Sequence, residues 1–283
     1  MTAFATATSR SGDRPRENDG AAKTAARRRA GAPKVIVQIP CLNEAETLPA
    51  VLAEIPRAIP GVGRVEVLVI DDGSTDGTAE IARTQGADHV LRNRTNLGLA
   101  ASFQRGIEHA LALGATVIVN TDGDHQYSGA SIPDLVAPIL RGEADIVLGD
   151  RNPSANPEFS RAKRLLQRIG TRSVAALARV ELSDAVSGFR AYSREAALRI
   201  NVMTGFSYTI ETLIHAGQAG LAIRSVPVAT NRATRPSRLF RSTGHFLRRQ
   251  LVTVLRSMVM YRSLSSFAVA GLVMLAIGTA PVL

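Results

Sequence analysis

Asp122 and Asp124 stand at positions i and i+2 on either side of Gly123, just past the apolar stretch Ala115–Asn120. Two carboxylates at that spacing, on a turn that glycine leaves open, can both face one cation. Mg2+ or Mn2+ suits such a pair, because each takes few protein oxygens and fills its remaining positions with water and phosphates. An ion held there would neutralise charge building up on a departing nucleoside diphosphate. A charge pair at 4 Å in an effective dielectric of 20 interacts by roughly 4 kcal/mol, enough to matter to a rate. An ordinary Asp-Gly-Asp turn carries the same residues, so the pair gains meaning only from its neighbours.

A second acidic cluster, Asp71-Asp72, leads into Gly73-Ser74-Thr75-Asp76-Gly77. Helix capping accounts for Ser74 to Asp76. It does not account for adjacent aspartates at a strand end, where a carboxylate can accept hydrogen bonds from a base or ribose. Asn43 and Glu46 have the spacing of a capping box. Glu44 has no such structural task and is a binding candidate. The five histidines are scattered without ligand spacing. His125, inside the Asp122–Gln126 run, reads as neutral and solvent-facing.

The elements that must position these residues alternate in kind. KVIVQI (34–39) reads as a buried strand, followed by a helix through Leu48, Val51, Leu52 and Ile55. A strand is predicted over Val65–Ile70, a helix from Thr78, and a short strand over His89–Leu91. Ala100–Leu113 then reads as a helix and Ala115–Asn120 as a strand. Ser131 and Pro133 have the order of a cap followed by a first-turn proline, and Asp145–Leu148 is again a short strand. This alternation predicts an α/β fold with a mostly parallel sheet covered on both faces. In such sheets ligands bind at the carboxyl ends of the strands. Pro40–Glu44, Asp71–Ser74 and Asp122–Asp124 would converge there. No Gly-rich dinucleotide fingerprint follows the first strand and no P-loop occurs, so a nucleotide would be held by side chains and a metal ion.

The formal charge of +10 is unevenly spread. After Glu211 no acidic residue appears while arginines continue to Arg262, which reads as a surface for phosphates. The single cysteine, Cys41, excludes an intramolecular disulfide framework and suits a reducing compartment. Residues 1–33 read as a disordered leader without a signal-peptide core, so the catalytic domain is expected in the cytosol. Residues 241–262 carry Leu247, Leu251, Leu255, Met258 and Val259 at helical spacing with interspersed arginines. That pattern fits a juxtamembrane helix lying among lipid headgroups, with a helix packed on the catalytic domain as the competing reading. Residues 263–283 carry no charge and approach the length of a membrane-crossing helix, with Arg256 and Arg262 on the expected cytosolic side.

Six motifs carry a resemblance. Val37–Glu44, Val69–Thr78, Asn96–Gly98, Asp122–Gln126, Gly149–Arg151 and Ser187–Tyr192 are similar, in this order, to those of family 2 glycosyltransferases. Within the family the chain resembles dolichyl-phosphate mannosyltransferase and bacterial polyprenyl-phosphate sugar transferases, over roughly residues 34–240. The resemblance implies a GT-A, Rossmann-like domain over that span. It places Pro40, Leu42, Glu44, Ile70 and Asp72 around the nucleoside. Asp122, Asp124 and Gln126 would hold the metal and diphosphate with backbone help from Thr121 and Gly123, and Arg151 would face the donor sugar and phosphate. It also implies two cations after the last strand, for which Arg232 and Arg238 stand, the usual lysine being an arginine.

Asp184 aligns with an aspartate discussed as a catalytic base. If the acceptor is a phosphate monoester, its second pKa of about 6 leaves it largely ionised at neutral pH. The remaining task is then to align two anions while cations screen them. Ser187, Arg190, Arg232 and Arg238 are the candidates for that cage, and Glu211 matches a family acid that serves equally as a structural ion-pair partner. The expected reaction is metal-dependent, inverting transfer of a hexose, mannose or glucose, from a nucleoside diphosphate sugar to a polyprenyl phosphate at the cytosolic membrane face. A glycan, glycolipid or small phosphorylated metabolite is the alternative acceptor. No nucleic-acid partner is expected, and the oligomeric state is left open.

Overall fold

The computed structural model describes residues 31–152, 161–178, 180, 182–202 and 208–231, with residues 267, 268 and 271 besides. The chain divides at Ala32/Pro33, and all elements described here belong to the unit beginning at Pro33. Its strands are β1 (Lys34–Cys41), β2 (Arg64–Asp71), β3 (His89–Arg92), β4 (Val117–Asn120), β5 (Ile146–Asp150), β6 (Arg190–Ser193) and β7 (Ile223–Pro227). The helices are α1 (Leu48–Glu54), α2 (Thr78–Thr84), α3 (Leu99–Ala112), α4 (Ile132–Leu140), α5 (Arg161–Ala178), α6 (Arg194–Arg199) and α7 (Tyr208–Gln218).

The strands form one sheet in the order β3-β2-β1-β4-β6-β5-β7. All pairings are parallel except those of β6, which runs antiparallel to both β4 and β5. Alternation along β1 assigns its side chains to two cores. Val35, Val37 and Ile39 face one side and pack with Val67, Val69, Leu48, Leu52, Leu135 and Val136. Ile36 faces the other side, where Leu68, Ile70, Phe103, Ile107, Ile118, Tyr192 and Leu213 pack. Burial on both faces explains why β1 and β2 are continuous apolar runs. On the second side Phe103 stacks on Tyr208 with ring centroids 4.2 Å apart, which ties α3 to α7.

The predicted strands and helices fall where they were expected, with ends displaced by one or two residues. Two local expectations are corrected. Asn43 does not stand at the start of α1, which begins one turn later, after Thr47, and Asn43 takes a left-handed φ of 55°. Ser131 precedes α4, yet its side chain makes no capping bond. It closes a 3-10 turn (Gly129–Ser131) in helical conformation, so its hydroxyl lacks the extended geometry that capping requires. Among the described residues no helix is long and apolar enough to cross a membrane. The expected juxtamembrane helix 241–262, Arg232 and Arg238 lie outside the described residues, as does the expected membrane segment 263–283 apart from positions 267, 268 and 271.

Candidate active site

The carboxyl ends of β1, β2 and β4 lie side by side. Pro40 pairs with Ile70, Cys41 with Asp71, and Gln38 with Asn120 in the ladder. Four hydrogen bonds lash the loop after β1 to the loop after β2. Asn43 N donates to Ser74 Oγ at 2.8 Å, Glu44 N to Thr78 Oγ1 at 2.9 Å and Ala45 N to Asp76 Oδ2 at 3.0 Å. In return Thr75 N donates to Asn43 Oδ1 at 2.9 Å. Residues expected to cap their own helices thus join two loops into one rim. Leu42 stands exposed on that rim, whereas Pro40 and Ile70 are buried beneath it.

Asp72 is buried, and its oxygens accept from Asn93 Nδ2 at 2.7 Å, Leu97 N at 2.9 Å and Gly98 N at 2.9 Å. It fixes the Asn96-Leu97-Gly98 turn against the end of β2. Asp71 accepts from Ser74 N at 3.0 Å, and its other oxygen lies 3.1 Å from Arg92 Nε. That oxygen is buried, and the approach of Arg92 is charge contact without hydrogen-bond alignment.

Thr121, Asp122, Gly123, Asp124 and Gln126 follow β4 in one turn. Thr121 N is held by Gln38 O at 3.1 Å, and Thr47 Oγ1 donates to Gly123 O at 2.7 Å. Glu44 is half-buried beside Gly123, where an added Cβ would lie 3.1 Å from Glu44 Cγ and 2.8 Å from Cys41 Sγ. Asp124 Oδ1 accepts from Gln126 N at 3.2 Å. Asp122 sits over the backbone of Gly188, where a Cβ would lie 3.1 Å from both its carboxylate oxygens. Burial first, and then the charge of Asp124, raise its pKa to about 7; Arg151 opposes this, Glu44 adds to it, and Arg190 opposes it.

This donor set fits a divalent cation. It offers hard carboxylate oxygens in a place where burial, and then their own repulsion, have raised a pKa, which bound positive charge would relieve. Among the described residues no group of three or more His, Cys, Asp or Glu is arranged to hold a metal. Two carboxylates fit an ion that completes its shell with phosphate and water. The neighbouring Cys41 offers no thiolate, because burial, reinforced by Glu44, Asp71 and Asp122, pushes its thiol well up.

Opposite the acidic turn, Arg151 and Asp184 form a two-bond ion pair. Nε lies 2.7 Å from Oδ2 and Nη2 lies 3.0 Å from Oδ1, with side chains 17% and 2% exposed. Both oxygens of the expected catalytic base are therefore engaged, and Arg151 reaches Asp184 with two of its donors. Arg190 has a geometry unlike that of an exposed phosphate cage. It is fully buried and donates to Ser187 O, Thr209 O, Thr212 Oγ1 and Ala185 O at 2.7–2.9 Å. Its guanidinium braces the Ala185–Ser187 turn from within. Ser187 is buried too, its Oγ accepting from Phe189 N at 3.3 Å. Glu211 is buried on α7.

Three buried polar residues escaped the sequence reading. Asn120 accepts from Gln38 Nε2 at 2.9 Å and donates to Gly188 O at 2.9 Å and Tyr208 Oη at 3.2 Å. Tyr127 Oη accepts from Gly188 N at 3.2 Å while its ring stacks on Phe189. Asn120 and Tyr127 thus clasp Gly188 from both sides and set the floor under Asp122. A polar glutamine inside the apolar run of β1 was the visible signal for this network. His125 is corrected from solvent-facing to paired, its Nε2 lying 2.7 Å from Glu54 Oε1.

Residues 36–200 match the family model for glycosyl transferase family 2. An uncharacterized glycosyltransferase of Mycobacterium tuberculosis is 34% identical over 198 residues, covering 69% of this chain and 84% of that protein. The polyprenol monophosphomannose synthase of Mycolicibacterium smegmatis is 30% identical over 206 residues, covering 69% and 76%. The undecaprenyl-phosphate mannosyltransferase of Micrococcus luteus is 27% identical over 205 residues, covering 69% and 82%. Among solved structures, glucosyl-3-phosphoglycerate synthase of Mycobacterium tuberculosis in complex with Mn2+, UDP and phosphoglyceric acid superposes with a TM-score of 0.62 at 25% identity, covering 87% of this chain and 84% of that one. With the acidic turn, the strand-end rim and these matches in place, the chain is a glycosyltransferase and belongs to glycosyltransferase family 2.

Proposed function

We propose that this enzyme transfers a hexose, mannose or glucose, from a nucleoside diphosphate sugar to a polyprenyl phosphate, with inversion, at the cytosolic face of a membrane. The observation that carries the donor half is the Asp122–Asp124 pair, in which burial, and then the charge of Asp124, raise the Asp122 carboxyl to about 7. Asp122 and Asp124, with Gln126, would hold Mg2+ or Mn2+, which supplies charge neutralisation for the departing nucleoside diphosphate. Similarity to two proteins named for polyprenyl-type acceptors supports the acceptor half.

Each residue then has a task. Pro40, Leu42, Glu44, Ile70 and Asp72 shape the nucleoside side, Leu42 by apolar contact at the rim and Asp72 by holding the Asn96–Gly98 turn. Thr121 and Gly123 set the backbone of the acidic turn. Arg151 places positive charge beside the donor phosphates while Asp184 fixes its orientation. Ser187 and Arg190 are positioning residues for the turn that carries Gly188, and Arg232 and Arg238 are assigned to the acceptor phosphate. A phosphate acceptor arrives ionised, so no residue need remove a proton from it. Alignment of the two anions supplies the rate.

A second acceptor class, a small phosphorylated acid, is favoured by the structural likeness to an enzyme solved with phosphoglyceric acid. The deciding experiment offers radiolabelled GDP-mannose and UDP-glucose with Mn2+, together with either a polyprenyl phosphate or 3-phosphoglycerate. Label in the organic phase supports the lipid acceptor, and label confined to water supports the small acid. No metal-dependent transfer from either donor to either acceptor counts against the reading.

A further inference from the structure

The turn Asp124–Gln126 is tied down at two points by residues outside it. His125 takes a left-handed φ of 60°, a conformation that strains a non-glycine residue and persists only where the surroundings enforce it. Glu54, the last residue of α1, spans the loop: Oε1 pairs with His125 Nε2 at 2.7 Å, and Oε2 accepts from Gly129 N at 3.1 Å. Gly129 packs so closely that an added Cβ would clash with Glu54 O. On the other side, Asn231 Nδ2 donates to His125 O at 3.1 Å, and Asn231 N donates to Gln126 O at 2.9 Å. Ser128 N reaches Ala229 O at 3.4 Å, and Tyr127 bridges to Thr230. The chain leaving β7 therefore runs as an added edge along the acidic turn.

We infer that Glu54, His125 and Asn231 form a clasp that pre-sets the turn carrying Asp124 and Gln126, joining α1, the acidic turn and the exit from β7 into one unit. These are positioning residues, acting through the turn that carries Asp124 and Gln126. Outer-shell groups of this kind are worth about 10- to 100-fold in metal affinity. The inference rests on the proposed metal-dependent use of this turn and identifies what holds it in shape.

The test separates the clasp from the backbone strain. His125→Gly tolerates the left-handed φ but removes the ring. Glu54→Gln keeps both contacts, its oxygen accepting from Gly129 N and its amide NH2 donating to the neutral His125 ring nitrogen, whereas Glu54→Ala removes both. In the free proteins, hydrogen exchange at the amides of Ser128 and Asn231 is expected to accelerate in His125→Gly and Glu54→Ala and to stay as in wild type in Glu54→Gln. Mn2+ affinity in the presence of UDP or GDP is expected to fall about 10- to 100-fold in the first two and to be retained in the third. Unchanged exchange at Asn231 in Glu54→Ala, or wild-type Mn2+ affinity in His125→Gly, would overturn the clasp. Failure of the wild type to take up Mn2+ with either nucleotide would overturn the functional reading, while the exchange arm still decides the clasp.

Discussion

Arg151 and Asp184, 33 positions apart, meet in a two-bond ion pair that closes the chain around α5, with Asp184 almost wholly buried. Two parallel bonds fix the guanidinium plane, so the orientation of Arg151 beside the acidic turn is set before any ligand arrives. Removing one partner strands a buried charge, which costs about 3–5 kcal/mol. Arg151→Ala is therefore expected to lower unfolding free energy by that amount in urea. Arg151→Lys should recover part of the stability and little of the activity, because an ammonium cannot reproduce the fork.

Asp122 gives a pH prediction with a definite sign. Its folded pKa of about 7 lies above the roughly 3.9 of an unfolded chain. Its contribution to stability is fully present below the unfolded value and is lost as pH rises through about 7. Metal-free protein should thus lose stability over that window, and Asp122→Asn should flatten the loss. A cation competes with the same proton, so Mn2+ affinity should increase from about pH 6 to about pH 8 in wild type. Thermal melts and Mn2+ titrations across that range check both statements.

Asn120 links Gln38, Gly188 and Tyr208 beneath the acidic turn. Asn120→Ala strands buried groups on β1 and on the Gly188 turn, at about 1–3 kcal/mol per group. Activity should fall further than stability explains, because the floor under Asp122 moves. Comparing kcat at a temperature where the variant is fully folded by circular dichroism checks this.

Much of this architecture is legible in the chain. The apolar runs of β1 and β2 identify buried parallel strands, and the acidic residues that end β2 and follow β4 locate the site edge. What stays hidden has physical causes. β6 is only four residues long and begins with Arg190, whose burial depends on carbonyls from Ala185, Ser187 and Thr209. Asn43 matches a capping box by spacing, yet its side chain bonds Thr75 across the rim, a tertiary contact that no local pattern encodes. The Glu54–His125 pair spans 71 positions and is equally invisible to spacing.

Far from the site, Glu66 is nearly buried and receives Lys34 Nζ at 2.7 Å, Arg64 Nε at 2.7 Å and His89 Nε2 at 2.9 Å. Burial raises its pKa, but the bonds from Lys34 and His89 and the charges of Lys34 and Arg64 outweigh it and hold the carboxyl below its ordinary range. The stability it supplies is present above its unfolded pKa and is lost as pH falls through the lowered folded value. Glu66→Gln should lose about 1–3 kcal/mol near neutral pH and show a shallower acid transition, with donor binding retained. Urea melts at two pH values measure it.

Asp122 and Asp124 are proposed to grip one divalent cation together with a nucleoside diphosphate. Mn2+ electron paramagnetic resonance titrations, with and without UDP or GDP, test this directly. The predicted result is stoichiometric uptake of one Mn2+ that tightens when the matching nucleotide is added and is abolished in both Asp122→Asn and Asp124→Asn. Wild-type uptake indifferent to every nucleotide, or unchanged in the two variants, would contradict it.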